Sequence, residues 1–107
     1  MPKSVDRHLK SLAADDPRAL YELVPVAAPP PDAVIQPMVQ EVPVSLTAMD
    51  YWFEIRTGDA AWADIFEFKA RYEGGMQKQV LNYTLRAHLL RDIPVRGILR
   101  ILDGSRR

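Results

Sequence analysis

Residues 50–69, DYWFEIRTGDAAWADIFEFK, decide the fold. Tyr51, Phe53 and Ile55 alternate with Asp50, Trp52, Glu54 and Arg56, the period of a strand. Residues 57–60, TGDA, form a tight turn, because Gly58 and Asp59 tolerate the backbone that a reversal needs. Residues 61–69, AWADIFEFK, make the next strand, and so short a turn predicts a hairpin. Upstream, residues 33–44, AVIQPMVQEVPV, are rich in β-branched side chains but hold Pro37 and Pro43. Proline cannot donate to a ladder, which places this segment at a sheet edge. Downstream, Gly74-Gly75 break the pattern. Met76, Val80, Tyr83, Ala87 and Leu90 then recur at a helical period over 76–91. Leu81, Leu85 and Leu89 widen that apolar face and predict a helix buried over much of its surface. Asp92-Ile93-Pro94 end it, residues 95–102, VRGILRIL, read as a last strand, and 103–107 as a frayed polar tail.

The N-terminal part is helical. Val5, His8, Leu9 and Leu12 share one face, with His8 expected to pack there. Asp16-Pro17 signals a second helix start, with the carboxylate capping free amides. Leu20, Leu23 and Val24 form the apolar side of that helix. Residues 25–32, PVAAPPPD, are a stiff, donor-poor connection. The order is α-β-β-β-α-β, with the second long helix allowing a parallel crossover between the third and fourth strands. The expected product is an α/β fold with a small mixed sheet flanked by helices.

The chain has 107 residues, 48% apolar and 26% charged, which suits one domain over 1–107. The absence of cysteine excludes a disulfide framework, a zinc-thiolate site and a thiol nucleophile. His8 and His88 are the only histidines, too few for a multi-histidine metal site and a poor basis for a Ser-His-Asp triad. No apolar run approaches the roughly 18 residues of a membrane span. The opening MPKSVDRHLK lacks a signal-peptide core, so a cytoplasmic location is expected.

Net charge is zero, yet unevenly spread. Residues 1–70 hold six basic and eleven acidic side chains, and residues 71–107 hold eight basic and three acidic ones. Net charges of −5 and +5 follow. Such a split suits a metal held beside a polyanion, or two solvated faces that neutralise each other.

Asp50 at the start of one strand, then Glu67 and Lys69 near the end of the next, conflict with burial in otherwise apolar strands. Such conflicts concentrate at functional sites. Alternation puts Glu67 and Lys69 on one face, about 6.6 Å apart along the strand, with Phe68 turned into a core. The hairpin can bring Asp50 beside them. Two carboxylates supply hard oxygens for Mg²⁺, and a lysine there can serve an attacking water or offset phosphate charge. A surface edge with an ordinary salt bridge is the plain alternative. Gln79 and Tyr83 stand one helical turn apart on a common face. Glu22 reads as a solvated helix position, and the Trp52, Trp62, Tyr51, Phe53, Phe66 and Phe68 rings read as packing rather than base-stacking platforms.

Asp50, then Glu67-Phe68-Lys69, then the QxxxY of Gln79 to Tyr83, in this element order, resembles the PD-(D/E)XK nuclease superfamily. QxxxY is typical of its RecB-like branch. The opening DRHLKSL and the stretch from Asp50 to Leu102 look most like its recombination-promoting nucleases. The resemblance implies a restriction-endonuclease-like three-layer core and Mg²⁺-dependent (or Mn²⁺-dependent) hydrolysis of DNA phosphodiesters. It implies Asp50, Glu67 and the Phe68 carbonyl as metal ligands, Lys69 at the water, and Gln79 and Tyr83 positioning the metal site or a phosphate. Met49 stands where the superfamily's name has proline. A non-catalytic nuclease-fold module for nucleic-acid binding or oligomerisation is the alternative. A homodimer is expected, since a small domain with an edge strand buries little surface alone.

Overall fold

The computed structural model describes residues 3–38 and 51–102. It is an α/β fold: helix α1 (Lys3–Asp15), a 3-10 helix (Pro17–Leu23), strands β1 (Val34–Pro37), β2 (Trp52–Thr57) and β3 (Ala60–Lys69), helix α2 (Met76–Arg91), and strand β4 (Val95–Ile101). The four strands form one sheet in the order β1-β2-β3-β4. β1 and β2 are antiparallel, with Val34 opposite Arg56 and Pro37 opposite Phe53. β2 and β3 are antiparallel, with Trp52 opposite Ile65 and Thr57 opposite Ala60. β3 and β4 are parallel, with Ala63 opposite Val95 and Lys69 opposite Ile101.

The hairpin turns at Gly58, whose φ of 57° is left-handed and suits a residue without Cβ. β1 lies at the sheet edge, where Pro37, which cannot donate to a ladder, is tolerated. The strand spans four residues, shorter than the twelve read from 33–44; residues 39–44 fall outside the described residues, as does the 103–107 tail.

Strand alternation sorts the core into two layers. On one face Phe53, Ile55, Phe66, Phe68 and Ile98 pack with Leu9, Leu20 and Tyr21 from α1 and the 3-10 helix. The Tyr21 ring meets Phe66 edge-on, with centroids 4.9 Å apart. On the other face Trp52, Ala63 and Ile65 pack with Tyr83 and Ala87 of α2. The proline-rich connection is fastened by Arg18, whose guanidinium donates to the carbonyls of Pro29, Pro30 and Ala33 at 2.9, 2.7 and 3.1 Å. Segments that lack N–H groups still offer acceptors, and a five-donor guanidinium can use several at once.

Four expectations are corrected. Asp16 precedes the 3-10 helix but makes no side-chain capping bond. Its backbone carbonyl instead accepts from Ala19 N at 2.9 Å, closing the tighter 3-10 turn. His8 is exposed rather than packed, since Leu9 and Ala13 carry the α1 contact. Leu23, expected on the apolar side of its helix, is 36% exposed, and Tyr21 is buried instead. α2 is buried only along Met76, Val80, Tyr83 and Ala87, leaving Leu81, Leu85, Leu89 and Leu90 exposed. One sheet covers one stripe of a helix, and the described residues supply no second layer above it.

Candidate functional site

β3 ends where its alternation displays Glu67 and Lys69 toward the α2 side of the sheet. The Lys69 ammonium lies 3.3 Å from the Glu67 carboxylate, and both side chains keep partial solvent access. Phe68 between them turns to the opposite face, where its ring meets Tyr51 edge-on at a centroid distance of 5.4 Å. Its backbone follows another alternation. Ala63 N donates to Pro94 O and Leu102 N to Lys69 O, so odd-numbered β3 residues bond to β4. Phe66 N donates to Tyr51 O, so the even-numbered ones address β2. The Phe68 carbonyl is therefore turned toward the β2 side. Asp50, the other carboxylate singled out by the sequence, falls outside the described residues.

α2 begins after Gly75, which has a left-handed φ of 88°. Its first turns hold Gln79, whose side-chain amide donates to the Tyr83 hydroxyl at 3.1 Å. Tyr83 itself is buried in the core beneath α2. Its ring is a packing group, and its hydroxyl fixes the Gln79 amide. Lys69 and Gln79 line a common polar cavity of about 400 Å³, together with Glu73, Lys78 and Asn82. The structure thus joins Glu67 to Lys69, Gln79 to Tyr83, and Lys69 to Gln79 across the cavity.

The donor chemistry fits a hard divalent cation. Glu67 has an accessible carboxylate, Phe68 adds a carbonyl oxygen, and the Gln79 amide oxygen lies outside its bond to Tyr83. Among the described residues no group of three histidine, cysteine or acidic side chains converges. No helix among the described residues is long and apolar enough to cross a membrane.

No family model, curated protein or solved structure matches the chain.

Two buried acids escaped the sequence reading. Asp64 is fully buried on the α1 face. It accepts from the Tyr21 hydroxyl and from Arg96 Nε and Nη2, both at 2.9 Å. Burial, then the bond to Asp64, raises the Tyr21 hydroxyl well above its ordinary range. The same carboxylate raises Arg96. Glu54, on the α2 face, accepts from Arg91 at 2.8 Å and pairs with Arg56. Both carboxylates are engaged by arginine, which suits structural anchoring. The signal that picked out Glu67, an acid within an apolar strand, applied equally to Asp64. Its partners lie 43 and 32 residues away, beyond any local pattern.

Proposed function

We propose that this chain is a metal-dependent phosphodiesterase of the PD-(D/E)XK nuclease kind, acting on DNA. The observation that carries the reading is the pairing of Glu67 with Lys69 at 3.3 Å, on the face of β3 that α2 covers. Beside it are the Gln79 amide fixed by Tyr83 and a polar cavity lined by Lys69 and Gln79. The hairpin followed by a parallel β3–β4 pair with α2 between them supports the same reading.

Glu67 and the Phe68 carbonyl, with Asp50, would hold Mg²⁺ or Mn²⁺. When bound, the ion supplies Lewis-acid polarisation of the phosphoryl oxygen. Lys69 orients the attacking water through its ammonium donors and offsets the negative charge that grows on the phosphoryl oxygens. Water adds its oxygen to phosphorus as the bond to the leaving ester oxygen breaks. Gln79, its amide set by Tyr83, is placed to steady a phosphate oxygen. A homodimer, with one site for each strand of a duplex, completes the reading. Sedimentation as a monomer at high micromolar concentration would remove that part.

Calorimetry with Mn²⁺, paired with cleavage of a linear DNA duplex, tests the function. Wild-type protein is expected to bind the ion and cut. Glu67→Ala is expected to lose both together, because one carboxylate serves both. Absence of ion binding by the folded wild-type chain would leave only the non-catalytic module.

A further inference from the structure

β4 is an edge strand: β3 lies on one side, and no described strand pairs with the other. Ala63 N bonds to Pro94 O and Leu102 N to Lys69 O. In a parallel ladder this alternation turns the N–H and C=O groups of Val95, Gly97, Leu99 and Ile101 away from β3, toward the free edge.

α2 does not sit centrally over the sheet. A Cβ at Gly97 would lie 2.6 Å from both Val80 Cγ1 and Thr84 Cγ2, so this flank of the helix rides directly on β4. Tyr83 and Ala87 point inward to Trp52, Ala63 and Ile65. At about 100° per residue, Leu81 then falls on the outer flank, past the strand edge, where it is 67% exposed. Leu81, Thr84, Val95, Gly97 and Leu99 border an open cavity of about 410 Å³. It opens between α2 and β4 on the α2 face of the sheet.

The charge around this edge selects an occupant. Neither α2 nor β4 contains an acidic residue. On the α1 face of β4, Arg96 and Arg100 flank Ile98; the Arg96 guanidinium is bound to the buried Asp64, and Arg100 is exposed. A second copy pairing through β4 brings no acidic residue of that strand to meet Arg100, whereas an acidic strand brings an opposite charge beside it.

We propose that the β4 edge, under the overhang of α2, binds an extended segment of a partner protein by strand addition. Its apolar residues enter the cavity beneath Leu81. The alternate residues on the other face are acidic and meet Arg100. Main-chain bonds supply affinity, and the two alternating faces supply specificity.

The probe is the palindromic peptide acetyl-VEITIEV-amide, which presents the same pattern in either strand direction. Amide exchange is followed by NMR on the full chain. The peptide is expected to slow exchange at Val95, Gly97, Leu99 and Ile101 by about tenfold or more at saturation, while amides of β2 change little. Replacing both glutamates by lysine should weaken binding by about tenfold, and Arg100→Glu should reverse that preference. Leu81→Lys should weaken both peptides. Equal binding of the acidic and basic peptides would overturn the proposal, as would protection centred on another element. Concentration-dependent protection of the same four amides without peptide would assign the edge to a second copy and overturn it. Displacement of bound peptide by a single-stranded oligonucleotide protecting those amides would assign it to nucleic acid and equally overturn it.

Discussion

Lys69 holds its ammonium 3.3 Å from the Glu67 carboxylate, close enough for each charge to govern what the other can do. If Glu67 binds the ion and Lys69 serves the water, their variants fail differently. Lys69→Met keeps much of the side-chain length and removes the charge. Ion binding should persist or tighten, since a neighbouring positive charge is gone. Cleavage should fall by about 100-fold or more, as for loss of a positioned acid–base or electrostatic group. Paired metal titration and cleavage assays decide the point, and wild-type cleavage by Lys69→Met would reduce the pair to a surface salt bridge. Tyr21 yields a second prediction. Burial and Asp64 raise its hydroxyl above the ordinary value of 10.0, so the fold favours the protonated form. That stabilisation is fully present below pH 10 and is lost as pH rises toward the folded-state value. Wild-type Tm should decline above pH 10. Tyr21→Phe should start lower at neutral pH by about 1–3 kcal/mol of stability, since Asp64 loses a donor, and then decline less steeply. Equal alkaline slopes in the two proteins would show that Tyr21 is not the responsible group. Glu67 was legible because its neighbour Lys69 is local, whereas the Asp64 cluster needed three distant elements to be folded first.

The α2–β4 contact is set by a single missing side chain. Gly97→Ala would place Cβ 2.6 Å from Val80 Cγ1 and Thr84 Cγ2, too close without a shift of the helix. Overpacking of this kind costs about 1–3 kcal/mol, which in a domain of this size lowers Tm by roughly 4–8 °C per kcal/mol. Val80→Ala in the Gly97→Ala background should recover part of that loss, because the two positions share one space. Additive thermal-melt changes would place the strain elsewhere. The neighbouring leucines behave oppositely. Leu85→Gln should shift stability by less than about 0.5 kcal/mol, because Leu85 is 54% exposed. Leu20→Ala, at a fully buried position, should cost about 2–5 kcal/mol. Helical periodicity in the sequence puts Met76, Val80, Tyr83, Ala87 and Leu90 on one stripe of α2, and all of these but Leu90 are buried. Periodicity does not show how wide a face the sheet covers, so the exposure of Leu81, Leu85 and Leu89 is not legible from it. Strand alternation was more informative, because a period of two leaves only two faces to choose between. The hairpin and the inward turn of Phe68 follow directly from it.

At the scale of the whole molecule, the opposite charges of the two halves are partly consumed inside the fold. Residues 71–107 carry eight basic side chains. Arg91 is bound to Glu54 and Arg96 to Asp64, both acids of the first half. Arg106 and Arg107 fall outside the described residues. Arg100 lies on the α1 face of β4, away from the Lys69 cavity. What remains near that cavity is Lys78, which lines it, with Arg71 and Arg86 exposed on the adjoining loop and helix. With Lys69 itself, about four cations can meet a DNA backbone passing Glu67. Each phosphate neutralised contributes about −0.9 to the slope of log affinity against log salt. Duplex binding by the Glu67→Ala protein should therefore give a slope near −3.6, whereas engagement of all eight basic residues would give about −7. Lys78→Gln should make the slope shallower by about one while leaving the fold intact, because Lys78 is exposed on the first turn of α2. Titrations across a range of sodium chloride concentrations read both values. A slope near −7, or one that Lys78→Gln leaves unchanged, would move the DNA track off this face and away from Glu67.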